Sequence, residues 1–117
     1  DLGFLGDDVV ATIDLGAART VNKIAAGFFQ QQGSWIFLPS AVSFFVSDDR
    51  TNWRIAGELK NPLEQTERVL AKDFTCDVEK VKARYVRVMA RNIGVCPPWH
   101  PGAGDKAWLF TDEIIVE

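Results

Sequence analysis

Apolar and polar residues alternate with a period of two along most of the chain. In Val9-Val10-Ala11-Thr12-Ile13-Asp14-Leu15, positions 9, 11, 13 and 15 are apolar, while Thr12 and Asp14 point the other way. Residues 21–29 set Ile24, Ala26 and Phe28 on one face. Val42, Phe44 and Val46 alternate with Ser43, Phe45 and Ser47; Val86, Val88 and Ala90 alternate with Tyr85, Arg87, Met89 and Arg91. Shorter candidates lie at residues 53–57 and 69–74, and an apolar run from Trp108 to Val116 closes the chain. A period of two marks half-buried strands. About seven of them, with no helical stretch between, predict an antiparallel β-sandwich or barrel.

The connections fall into two classes. Residues 16–20, 48–52 and 77–82 are short and polar and read as tight turns. Residues 30–40, 58–67 and 93–107 are longer, and between them they carry aromatics, proline and glycine. If each strand runs antiparallel to the one before it, the short turns gather at one pole of the sandwich. The long loops, with residues 1–8, gather at the other. Long loops of a compact domain are where function concentrates. The same parity separates Cys76, at the short-turn pole, from Cys96, beyond the next strand. A nine-residue strand spans roughly 30 Å, and a disulfide needs Cα atoms within about 7 Å. Two free thiols are therefore expected.

Composition narrows the class. At 117 residues the chain is one domain, and its 47% apolar content is enough for a single core. A net charge of −3 gives no basic footprint for nucleic acid and weighs against docking on anionic membranes. No apolar run reaches membrane-spanning length. The chain opens on Asp1-Leu2-Gly3-Phe4 without an initiator methionine, so it is read as a fragment of a larger protein whose export signal lies outside it.

Catalytic chemistry is poorly supported. Cys96 and His100 would make a dyad only if the intervening Pro97-Pro98-Trp99 let them converge, and no third orienting group is evident. The same spacing is half a zinc site, but there is no second histidine. Asp7-Asp8 and Asp48-Asp49 are adjacent pairs that point apart or solvate turns, unlike a glycosidase carboxylate pair.

Four motifs carry a family resemblance. Ala11-Thr12-Ile13-Asp14-Leu15-Gly16, Val46-Ser47-Asp48-Asp49 with Trp53, Ala83-Arg84-Tyr85-Val86-Arg87-Val88 and Asp112-Glu113-Ile114-Ile115-Val116 resemble, in order, segments of discoidin domains, the coagulation factor 5/8 type C domains. The loop Cys96-Pro97-Pro98-Trp99-His100-Pro101-Gly102-Ala103-Gly104-Asp105-Lys106-Ala107-Trp108-Leu109-Phe110 is similar to the discoidin-like domain at the C-terminus of bacterial family 20 glycoside hydrolases, the chitobiases or β-N-acetylhexosaminidases. Those domains resemble carbohydrate-binding module family 32. The resemblance implies a galactose-binding-like jelly-roll sandwich of about eight strands, the first lying upstream of Asp1. It also implies a location in the periplasm, at the cell surface or outside the cell. Many members hold a structural calcium ion. The matching positions here are Glu113 and Asp112, the remaining ligands being expected upstream, in the parent protein.

Family members bind sugars through loops at one pole, with variable residues. A shallow sugar site needs exposed aromatic faces and a few planar polar groups. The long-loop pole offers Trp99, His100, Trp35, Gln31 and Asn92, and Pro97, Pro98 and Pro101 restrict the loop that carries Trp99. The expected function is a non-catalytic carbohydrate-binding module accessory to a secreted glycoside hydrolase, with a glycan as partner. Plainer readings stand beside it: Trp53 and Trp108 as core, His100 as a hydrogen-bonded structural residue, and the three glutamines 30–32 as a solvated strand end. Trp35-Ile36-Phe37-Leu38 either plugs the sandwich or faces outward. In the outward case the alternative is a module that docks on the catalytic domain of the same chain without binding sugar.

Overall fold

The stretches read as separate strands at residues 9–15 and 21–29 are one strand. The computed structural model describes residues 2–117. Its strands are β1 (Leu2–Leu5), β2 (Val9–Gln30), β3 (Ala41–Ser47), β4 (Trp53–Lys60), β5 (Leu70–Arg91) and β6 (Trp108–Val116), with a 3-10 turn at Gln32–Ser34. All pairings are antiparallel, in the order β1-β6-β2-β5-β3-β4. Residues 16–20 and 77–82, expected as tight turns, are instead bends that β2 and β5 make side by side while still paired: Arg19 faces Ala83 and Thr20 faces Lys82. The register slips between Asp14 and Arg19 and again between Val21 and Lys23. Bulges of this kind kink a ribbon and let it turn a corner. β1 is a strand that alternation did not reveal, because Leu2-Gly3-Phe4-Leu5 is too short to show a period.

The shared bend converts one hydrogen-bonded network into two layers. Along β2, β6 pairs with Ile24 to Phe29 alone, and along β5, β3 pairs with Tyr85 to Arg91 alone. One layer is therefore β1, β6 and the halves of β2 and β5 near Phe28 and Phe74. The other is β3, β4 and the remaining halves. The layers close on Ile24, Ala26, Phe28, Val42, Phe44, Phe74, Val86, Val88 and Leu109, all buried. Phe28 and Phe74 meet edge to face at 5.6 Å. Gly57 of β4 is required by this closure: a Cβ there would lie 2.6 Å from Cys76 Sγ in the opposite layer.

Both cysteines are free and buried, in different clusters. Cys76 belongs to the main core. Cys96 joins Phe37 and Ala107 in a small core beneath the long loops. Burial pushes both thiols up, helped by Asp77 at Cys76 and by Asp105 at Cys96. The plainer reading of two tryptophans holds in part. Trp53 and Trp108 are half-buried, Trp53 under the Arg87 guanidinium at 4.2 Å and Trp108 against Phe110.

Two aspartates fasten the short-turn pole. Asp49 accepts the backbone N–H groups of Asn52 and Thr51 and the Asn52 side-chain amide, which hold its carboxyl well below the usual range. Asp14 accepts two bonds from the Arg84 guanidinium and one from the Gly16 N–H, and is held down at about 2. A lowered carboxyl stabilises the fold above its ordinary pKa, and that contribution is lost as pH falls through the lowered value. The melting temperature is thus expected to hold down to about pH 4 and to fall between about pH 4 and pH 2. In Asp49→Ala it starts lower and depends less on acid, as thermal unfolding followed by circular dichroism at stepped pH will show.

Candidate functional site

The long connections do gather at one pole, and hydrogen bonds tie them together. Gln30 and Gln32, read as a solvated strand end, are buried. Gln30 Nε2 donates to the Arg68 carbonyl at 3.1 Å. Gln32 Nε2 donates to the Glu64 carbonyl at 2.8 Å, and its Oε1 accepts the Thr66 N–H. Alternation in β2 carries Phe28 and Gln30 inward, and Gln32, the first residue of the 3-10 turn, is buried beside them, so the two amides staple residues 61–69 to the end of the sandwich.

The loop after β5 is built on itself. Cys96 N–H donates to the Asp105 carbonyl, Gly104 N–H to the Cys96 carbonyl and Ala103 N–H to the His100 carbonyl. Its internal post is His100, which is buried. Nδ1 accepts the Gly102 N–H at 2.9 Å, so the ring proton sits on Nε2, which donates to the Gln32 carbonyl at 2.7 Å. Trp35 stands edge-on to His100 at 4.7 Å and donates from Nε1 to Asp105. Its indole lies directly on the Gly102 backbone.

Asn92 is the second post. Its Nδ2 donates to the carbonyls of Phe4, Asp7 and Ala107, its Oδ1 accepts the Gly94 N–H, and its own N–H donates to Asp8. One buried amide thus joins residues 4–8 and the two ends of the Trp99 loop.

What remains open is a groove of about 780 Å³. Gln31, Gln32 and Gly33 form one side, Gln65 to Glu67 and Val69 the other, and Trp99, His100 and Pro101 the end. Trp99 is 39% exposed, and its ring is propped edge-on by Phe37 at 6.4 Å and by His100 at 6.1 Å. Gln31, Gln65 and Glu67 line the groove without joining the bonds that fasten Gln32. The arrangement offers one apolar face, two carboxamides and one carboxylate to a ligand.

The structure brings Trp99, Gln31 and His100 of the expected set to this groove, His100 as wall with both nitrogens engaged. Two expectations are corrected. Asn92 is buried and holds backbone, so it presents nothing to a ligand. Trp35 lies under the loop against Gly102 and does not form a second exposed platform. The run Trp35-Ile36-Phe37-Leu38 plugs the sandwich: Phe37 is buried and its neighbours are half-buried, which removes the centre of an outward docking patch. Residues 65–69 were missed because their loop has no aromatic residue; the alternation at Gln30 and Gln32 was the available signal.

The positions matched to calcium, Glu113 and Asp112, lie on β6. Asp112 and Glu113 are both exposed and sit at a bulge of β6: Ala26 pairs with Ile114 and Phe28 with Thr111, so the two acidic residues stand opposite Gly27 alone. Among the described residues no three His, Cys, Asp or Glu side chains gather around a common point. Calcium requires about six to eight oxygens.

The sequence matches the F5/8 type C domain family over residues 6–109. Among curated proteins no sequence matches. The fold is shared with the C-terminal domain of a chitobiase from Bacteroides fragilis (TM-score 0.56, 22% identity, covering 95% of this chain and 63% of that one). It is shared with two Clostridium perfringens domains. CpGH89CBM32-5, in complex with GalNAc-β-1,3-galactose, gives a TM-score of 0.57 at 20% identity, over 94% of this chain and 67% of that one. CpGH89CBM32-4, in complex with GlcNAc-α-1,4-galactose, gives 0.52 at 14% identity, over 92% and 69%. The chain thus spans less than two thirds of the chitobiase domain.

Proposed function

This chain belongs to the F5/8 type C domain family, and from that premise we propose that it is a non-catalytic carbohydrate-binding module of a secreted glycoside hydrolase, one that acts in the periplasm, at the cell surface or outside the cell. The observation that carries the reading is the propped, exposed Trp99 at the end of a groove lined by uncommitted amides. A pyranose stacks its C–H face on the Trp99 ring, and its hydroxyls exchange hydrogen bonds with Gln31, Gln65 and Glu67. N-acetylhexosamine or galactose-type ligands are the class proposed, supported by the disaccharides held by the two Clostridium perfringens domains of the same fold. The hydrogen bonds within the loop and the posts beneath it fix Trp99 before ligand arrives, which lowers the entropy cost of binding.

A glycan array with wild type and Trp99→Ala tests this. Wild type is expected to retain N-acetylhexosamine- or galactose-terminated glycans. Trp99→Ala is expected to melt like wild type and bind at least about tenfold more weakly, since stacking on one aromatic is the main apolar contact. Silence of wild type across the array, or undiminished binding by Trp99→Ala, refutes the proposal.

A further inference from the structure

A second concavity lies on the outer face of the layer formed by β3, β4 and β5, lined by other residues than the Trp99 groove. Its shape follows from register. Ala41 of β3 pairs with Arg91 of β5 on one side and with Lys60 of β4 on the other. The two cations therefore flank a single methyl group, their Cα atoms about 10 Å apart, since neighbouring strands are about 4.8 Å apart. Two residues along the same face, Ser43 pairs with Met89 and Glu58. Phe45 follows after another two residues. The result is a pocket of about 520 Å³ lined by these seven residues together with Ser40, Ala90 and Asp8, whose Oδ1 is taken by the Asn92 N–H.

The chemistry is ordered along the pocket. At one end Arg91 and Lys60 are exposed, and among the described residues neither is in an ion pair. In the middle the Ser43 hydroxyl donates to Glu58 Oε2 at 3.0 Å, leaving the other carboxylate oxygen open. Met89, 39% exposed, stands across Ser43 from Glu58 in that same row, and Phe45 one row further on extends the apolar surface. Successive rows on one face are about 6.8 Å apart. A ligand that fits carries a carboxylate at one end, hydroxyl donors about one ring away and an apolar face. The two cations attract an anion, while Asp8, next to the Val9 that pairs with Ala90, and Glu58 one row below disfavour more than one negative charge.

We propose that this pocket is a second binding site, for a uronic-acid-type sugar. The carboxylate sits between Arg91 and Lys60, the ring hydroxyls donate to Glu58, and the ring lies on Met89 and Phe45. The site is independent of the Trp99 groove.

Met89 is the only methionine in the chain, so methyl-labelled methionine gives one NMR signal on the pocket floor. Titration with sodium glucuronate is expected to move that signal saturably. Glucose, its uncharged counterpart, is expected to bind about tenfold more weakly or less, because it lacks the charge-assisted contacts. Lys60→Ala with Arg91→Ala, both at exposed positions, should abolish the glucuronate preference and keep the wild-type melting temperature. Trp99→Ala should leave the response intact. Equal response to glucose and glucuronate, no movement of Met89, retention of the preference in the double variant, or its loss in Trp99→Ala overturns the proposal.

Discussion

Asn92→Asp is expected to destabilise the domain more than Asn92→Ala, although it is the smaller change in shape. The Asn92 amide NH₂ group faces three carbonyls, those of Phe4, Asp7 and Ala107, at 3.1 to 3.2 Å. Alanine removes the side-chain donor from all three, leaving the Ala107 carbonyl only its bond from the Gly6 N–H, and orphans the Gly94 N–H. Each buried unpaired group costs about 1–3 kcal/mol. With water able to enter from residues 5–8, we expect a loss of about 3 kcal/mol in urea unfolding. Aspartate does worse: it sets an oxygen against the same carbonyls and buries a charge beside the Asp8 carboxylate, which already accepts the Asn92 N–H. Equal stability of the aspartate and wild-type proteins would show that Asn92 is not the post described.

Gly102→Ala is the second large effect. A Cβ at that position would lie 2.0 Å from Trp35 Nε1 and 2.4 Å from Cε2, inside the indole ring. The ring has little freedom to retreat. Trp35 is held in the left-handed region at φ 63°, edge-on to His100. The Gly102 N–H cannot withdraw without releasing His100 Nδ1 and, through Nε2, the Gln32 carbonyl. Overpacking of a rigid site costs about 1–3 kcal/mol, and the broken His100 bonds add to it. The expected result is a melting temperature several degrees lower, with loss of glycan binding although no groove residue has been changed. A variant that keeps its melting temperature and its binding would contradict the contact between Trp35 and Gly102.

The architecture was legible because the core is written in alternation: Ile24, Ala26 and Phe28, and Val42, Phe44 and Val46, are buried as their spacing requires. The polarity of the loops was legible too, since it depends only on the alternating direction of strands. Strand boundaries were not. A bend that two strands make together keeps its ladder, so polar residues such as Asp77 and Lys82 mark a corner as readily as a turn. Half of the candidate site was visible for a related reason. Trp99 is exposed because the loop closes beneath it, and prolines beside a tryptophan signal such a loop. Which polar side chains face outward is decided by long-range partners. Gln31 is open and Gln32 is engaged because the strand end offers alternate faces, and the Glu64 and Thr66 backbone that claims Gln32 lies more than thirty residues away. Asn92 looked like a ligand contact for the same reason: the three carbonyls it serves are brought together only by the fold.

The proposed sugar stacks on Trp99 in the groove lined by Gln31 and Gln65. Indole N–H resonances of the four tryptophans, followed during titration with N-acetylgalactosamine, N-acetylglucosamine and galactose, test it most directly. The Trp99 indole and the side-chain amides of Gln31 and Gln65 should shift together and saturate with at least one of these sugars, while Trp53 and Trp108 stay in place. Saturable binding that leaves Trp99 unmoved, or no shift with any of the three, would contradict it.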